Sequence, residues 1–259
     1  MGFPNLKNKH AEDAMFSPGE FLDYHKKIGR IPKIRSPEGV IIYYSRKEPA
    51  NFLKGYTFKK FDAMGGSFYF IKETRGKVGI VGGFGIGAPA STTLLEEMIS
   101  WGVKKFMTVG DAGALQKNLK TGDIVVCDKA IRDEGTSHHY IPPSKYANAS
   151  KTINEKITKA LDELGEKYHI GTSWTIDAVY RETVAEARQY QKEGVLTVEM
   201  EASAMFAVAK YRGVELGAIF TISDSLAEME WNPQFHSKKL VDKRPLLFKL
   251  AIDVLSKKD

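Results

Sequence analysis

A chain of 259 residues is long enough for one large α/β domain or two small ones, and 42% apolar with 27% charged residues is the balance of a soluble globular protein. Cys127 stands alone, which excludes an intrachain disulfide and a cysteine metal cluster and fits a reducing cytoplasm. The formal charge of +6 is scattered over lysines rather than gathered on a basic, aromatic-laced helix, so nucleic acid is not the expected partner; the charged N-terminal stretch has no leader-like apolar core, and no run nears the ~18 apolar residues that would span a membrane.

Residues 1–38 read as an irregular extension to a single domain covering 1–259. Pro4, Pro18, Pro32 and Pro37 break it, and a short helix fits around Gly19 to Lys27. Gly39 to Tyr44 is β-branched and aromatic, a buried strand. Phe68 to Ile71 and Val78 to Val81 read as two more, around a turn at Thr74 to Lys77. A glycine loop follows, then a helix from Thr92 to about Trp101 and a strand from Lys105 to Val109. Another strand is expected at Ile124 to Cys127, a helix at Thr152 to Lys167, extended chain at Ile170 to Ile176 and a polar helix at Glu182 to Glu193. A last strand spans Val214 to Ile222, and Leu246, Leu247, Leu250, Ala251, Val254 and Leu255 form one face of a closing helix. Strands alternating with helices predict a three-layer αβα domain with a mixed central sheet.

Two stretches carry chemistry. Thr197 to Ala204 passes from strand-like alternation into small helix formers, with Glu199 and Glu201 flanking Met200. Acids in a core-like run need partners. Either they favour the positive end of a helix dipole, or they accept hydrogen bonds from a sugar diol beside the Met thioether. The second stretch, Gly82 to Ser91, lets backbone amides approach an anion or a ribosyl group. Taken locally, Gly83 to Ala88 fits a dinucleotide-binding loop, with Asp111 as its ribose acid. Asp224, after the last strand, either caps a helix through Glu228 or serves as an acid. His138-His139 lacks a third spaced ligand and reads as loop polarity rather than a metal site. Trp231, Asn232, Pro233 and Phe235 form either a lid or a packed loop.

Val198-Glu199-Met200-Glu201-Ala202-Ser203 resembles the V-E-M-E-[AS]-[AST] segment of the purine nucleoside/uridine phosphorylase family, which includes nucleosidases. Gly83, Gly85, Ile86, Gly87, Pro89 and Glu97 match its glycine signature in the same order, and the likeness runs from about Val78 to Ser225. The resemblance implies cleavage of the N-glycosidic bond of a purine nucleoside or uridine, with purine favoured because Tyr180 to Ala187 lacks the Gln/Arg pair of uridine-specific members. It implies Glu201 and Met200 on the ribose with Glu199 beside them, Asp224 protonating the base, and Asp177, Val179 and Ser223 around the base. Gly85 and Gly87 would face the nucleophile. Phosphate is then a co-substrate, no metal or organic cofactor is involved, and a homo-oligomer (dimer or hexamer) is expected.

The departures concern phosphate. No Gly-Asp-Pro precedes Arg46, Thr108 stands where the family has Arg, and Asp111 where it has Ser or Thr. Two unit charges ~4 Å apart at an effective dielectric near 20 repel by about 4 kcal/mol. So either Arg46, Arg132 or a partner's Arg compensates Asp111, or water is the nucleophile and Asp111 its base. A non-catalytic nucleoside-binding module is the remaining class.

Overall fold

The computed structural model describes residues 3–29, 31, 34–45, 47–63 and 65–257. The N-terminal extension contains one helix, α1 (Pro18–Lys27), started by a capping box in which Ser17 and Glu20 satisfy each other's backbone amides. Strand β1 (Gly39–Tyr43) is buried along its whole length. It pairs in parallel with β4 (Val78–Gly82) on one side and β5 (Lys105–Ala114) on the other. Beyond β4 the sheet continues antiparallel through β3 (Gly66–Ile71) to β2 (Phe58–Ala63). Strand β2 escaped the sequence reading because Lys59-Lys60 breaks its apolar run; lysines are what an exposed edge strand uses to discourage further pairing.

On the other side of β5 the sheet curls. Strand β10 (Glu215–Ser225) runs parallel to β5 and antiparallel to β6 (Ile124–Asp133). Strand β6 pairs with β8 (Tyr168–Ile176), β8 with β9 (Thr197–Glu199), and β9 returns to the end of β5, which closes a ring of five strands. Two short strands, β7 (Tyr146–Asn148) and β11 (Asn232–Pro233), add to β6 and β10. The expected strands at Lys105–Val109, Ile124–Cys127 and Val214–Ile222 are all longer than their apolar runs. Neighbours on both sides supply the ladder hydrogen bonds that carry Gly110, Asp111, Asp128 and Lys129 in extended form.

Helices cover both faces, as the layered reading predicts. Helix α2 (Ala88–Trp101) and the all-round buried α5 (Ala202–Arg212) pack on the face that carries Val40, Ile42, Phe106 and Phe220. Helices α3 (Lys151–Glu163) and α6 (Lys238–Ser256) pack on the face that carries Ile41, Met107, Val109 and Ile219. Helix α4 (Val184–Lys192) belongs to a smaller cluster with Trp174, Ile176 and Val198 at one end of the ring. Helix α2 begins four residues before the expected Thr92, because Pro89 fits the first turn, where its missing N–H is not needed.

Candidate active site

The glycine loop leaves the C-terminal end of β4 and turns directly into α2. Gly85 (φ 114°) and Gly87 (φ 93°) adopt backbone angles that side chains resist, and the loop can turn this tightly only because they are glycines. Gly87 is the cap residue of α2 with no side chain to cap it, and its amide instead donates to Glu201 Oε1 at 2.6 Å, a contact spanning 114 positions of sequence. The acidic turn and the glycine loop, far apart in the chain, are therefore one structure.

Within that turn the two glutamates differ. Glu199 Oε2 accepts the amides of Glu201 and Ala202, both at 2.7 Å, and Oε1 accepts Thr175 Oγ1 at 2.5 Å and Ser173 Oγ at 3.3 Å. It thus caps the start of α5; burial raises its pKa, and all this donation opposes that rise. The direct sugar contact considered for Glu199 has no oxygen left to make it. Glu201 accepts the Gly87 amide on Oε1 and a backbone hydrogen bond from Met200, fewer donors than Glu199 receives. Burial and then the charge of Glu199 raise the Glu201 pKa. Met200 stands half-buried between them.

Asp224 reaches the same end of the sheet from β10. The register slips between Ile222 and Asp224, so Ser223 is a bulge residue and the bulge turns Asp224. Asp224 stands opposite Gly113 of β5, and Gly113 stands opposite Val198 of β9. Two strand spacings, about 10 Å, separate the base of the acidic turn from Asp224. Asp224 is 9% exposed. Its Oδ1 accepts Ser223 Oγ at 2.6 Å and its Oδ2 accepts Trp231 Nε1 at 3.0 Å. No helix follows through Glu228, so the capping alternative has nothing to cap. Trp231 holds Asp224 through its N–H while 64% exposed, with Phe235 against its ring and Pro233 paired beside Asp224.

Asp177 lies just beyond β8. Its Oδ2 accepts the amide of Gly135 at 2.8 Å, and its charge adds to the upward shift of Glu201. Val179 follows on an exposed turn beside the fully exposed Tyr180. Glu134 ties this loop to α5, accepting the amides of Thr136 and Ser137 with one oxygen and Ser203 Oγ with the other.

The expected nucleophile site divides. Thr108 is buried on the face of the glycine loop, where the phenol of Tyr44 lies against its hydroxyl and that of Ser91. Burial, then the charges of Glu201 and Glu199, push the Tyr44 pKa up. Asp111 is three residues on from Thr108, an odd step along a strand, and so faces the opposite side of the sheet. There it pairs with Arg244 of α6 at 2.6 Å. Asp111 is therefore neither a phosphate neighbour nor a base for water, and the ribose-acid role in a dinucleotide scheme falls with it. Arg132, offered as the compensating cation, is buried and occupied by Ser137 Oγ, Ser144 Oγ and the carbonyls of Ile141 and Pro142. Arg46 lies outside the described residues. Asp111→Asn is expected to cost no more than about 1 kcal/mol in denaturant melts, since the pair is only partly buried.

His138 Nε2 lies 3.2 Å from the Arg132 carbonyl, and the rings of both His138 and His139 meet Phe3 edge-on. Glu182, which the sequence reading did not single out, is half-buried, and burial and then the Asp224 charge push its pKa up to about 7.

A carboxylate turn, a glycine loop at a helix start and an acid on a nearby strand end stand together at the C-terminal edge of an α/β sheet, where such sheets build small-molecule sites. A sequence profile of the phosphorylase superfamily matches residues 40–256, and the chain belongs to that family. Guanosine phosphorylase of Halorubrum lacusprofundi is 33% identical over 142 residues, 55% of this chain and 59% of that protein. A DeoD-type purine nucleoside phosphorylase of Bacillus cereus is 32% identical over 163 residues, 62% of this chain and 69% of that protein. Uridine phosphorylase of Vibrio fischeri superposes with a TM-score of 0.72 over 86% of this chain and 93% of its own, at 24% identity, a likeness of fold.

Proposed function

We propose that this chain is a nucleoside phosphorylase-type enzyme that cleaves the N-glycosidic bond of a nucleoside, with a purine preferred over uracil. One observation carries the reading: the β9–β5–β10 register brings Asp224 to the edge where Glu201 holds the glycine loop. The reaction needs a grip on the ribose, a way to discharge the leaving base and a nucleophile below C1′. The Glu201 carboxylate would accept the sugar hydroxyls with Met200 lining the ring. Ser223 and Asp224 would meet the base, flanked by Asp177 and Val179, and the Gly85–Gly87 amides with Thr108 would face the nucleophile. The reaction as proposed uses phosphate as co-substrate and no metal or organic cofactor. The partners are small molecules rather than nucleic acid or membrane, and no described helix is long and apolar enough to cross a bilayer. A homo-oligomer in the cytoplasm completes the proposal; exposed Ile86 and Tyr180 beside the site are suited to a subunit contact.

A second reading, hydrolysis by water, is favoured by one feature. The side chains gathered at the loop (Tyr44, Ser91, Thr108, Glu201) carry no positive charge to hold a phosphate dianion. Incubation with inosine, guanosine, adenosine and uridine, with and without phosphate, decides between them. The expected result is purine release with ribose 1-phosphate only when phosphate is present. Equal release of free ribose without phosphate would establish the hydrolase, and no base release from any nucleoside would contradict both.

A further inference from the structure

A cavity of about 560 Å³ opens at the end of the sheet opposite the active site. Its walls are the strap 34–38 ahead of β1, strand β2, the end of β3 and the turn 72–77 that leads into β4. Strand β4 starts at this cavity and ends at the glycine loop, so four strand steps, about 13 Å, keep the two sites apart. Backbone contacts fix the walls. The amides of Glu38 and Gly39 donate to the Lys77 carbonyl at 2.8 and 3.1 Å, and Ser36 Oγ fills the room left by Gly102, where a Cβ would come within 2.9 Å of it. Charge in the cavity is one-sided: Arg35, Lys59, Lys72, Arg75 and Lys77 line it against a single acid, Glu38. Glu73, the acid of the turn itself, is outside the lining, and both its oxygens accept the Thr57 amide. Among the described residues no salt bridge engages Arg35, Lys59, Arg75 or Lys77. Arg75 moreover holds left-handed backbone (φ 56°, ψ 33°), where glycine or asparagine is the ordinary choice. The rest of the wall is apolar, with Ile34 and Ile71 beside Phe70, whose ring is set edge-on by Phe68 and Trp101.

We propose that this cavity binds a nucleoside polyphosphate, with its phosphates on the cations of the rim and its base against Phe70. The volume falls within the range of about 300–1,000 Å³ typical of small-molecule sites. Guanidinium and ammonium groups donate charge-assisted hydrogen bonds to phosphate oxygens, arginine with two parallel N–H groups. Gathering like charges is unfavourable until an anion offsets them, so the cluster favours a ligand with several negative charges. An aromatic side chain takes the face of any base. Inorganic phosphate alone leaves the apolar wall uncovered, and a nucleoside alone leaves the cations unanswered; the ligand carries both parts. No step of the nucleoside-cleaving reaction passes through this cavity, so the proposal stands or falls independently of that reading.

Titration calorimetry with ADP on the full chain, at a salt concentration of about 0.15 M, tests this. One ADP per chain is expected, with a Kd below about 100 µM, and tripolyphosphate should displace it. Lys72→Glu combined with Arg75→Glu, both at exposed positions of the turn, should weaken ADP at least about tenfold. Lys59→Glu, on a different element, should weaken it about threefold or more, so the result does not hang on the turn keeping its shape. Arg188→Glu combined with Lys192→Glu makes the same change in net charge on exposed α4 and should leave ADP binding within about twofold, as should Glu201→Gln in the active site. No saturable binding, equal weakening in the two double variants, or loss in Glu201→Gln alone would overturn the proposal. So would single-stranded RNA or phosphatidylserine vesicles bound through Lys72 and Arg75 where ADP is not.

Discussion

Glu201→Ala is expected to lower kcat/KM for a purine nucleoside by about 10²–10⁴. The side chain is 7% exposed and its recorded donors are the Gly87 and Met200 amides, so sugar hydroxyls would add to them. Hydrogen bonds to a charged group contribute about 1.5–3 kcal/mol each, and two of them amount to two to four powers of ten. Truncation also strands the Gly87 amide at the start of α2, which costs about 1–3 kcal/mol. Glu201→Gln separates the two effects, because its amide oxygen still accepts from Gly87 while its NH₂ can no longer take a hydroxyl proton. The glutamine variant should therefore melt near wild type and still lose about 10–100-fold, mostly in KM. If Glu201 only tethers the loop, Glu201→Gln will instead bind and cleave nucleosides normally.

The second large effect is on stability against pH. Burial raises the pKa of Glu201 and of Glu182 above the unfolded carboxylate range, Glu182 to about 7. Between that range and the folded values the native protein binds more protons than the unfolded chain. The slope of unfolding free energy with pH is then negative, so stability is fullest at acidic pH and is lost as pH rises through the folded pKa values. Each tenfold difference in proton affinity between the folded and unfolded chain is worth about 1.4 kcal/mol, and solvent screening at half-exposed Glu182 reduces its share to about 1–2 kcal/mol. Denaturant melts are expected to weaken from pH 5.5 to pH 8.5, and Glu182→Gln and Glu201→Gln should each flatten the decline. A wild-type stability that climbs steadily across this window would mean that these carboxyls are ionised at acidic pH in the native state.

The sheet was legible wherever apolar, β-branched runs coincide with strands, as in β1 and β4, and the helices wherever one face is apolar, as in α3. What escaped was extended chain held by its neighbours rather than by its own composition: the lysine-bearing edge β2, and the polar ends of β5 and β6. The same blind spot misplaced Asp111. With β5 ended at Val109 its side could not be assigned; once the strand runs to Ala114, the odd step from Thr108 sends it to α6 and Arg244. Glu199, Met200, Glu201 and Asp224 were found from local spacing and from the resemblance. The separation of Glu199, a helix cap, from Glu201, which holds the glycine loop, depends on Thr175 and Gly87, which lie elsewhere in the chain.

The most direct test of the account is a crystal structure with a purine C-nucleoside, whose C1′–C bond cannot be cleaved. The account predicts the 2′- and 3′-hydroxyls on the Glu201 carboxylate, the ring along Met200, and the imidazole edge of the base at Asp224. A ligand seated elsewhere, or one whose sugar and base touch neither Glu201 nor Asp224, would contradict it.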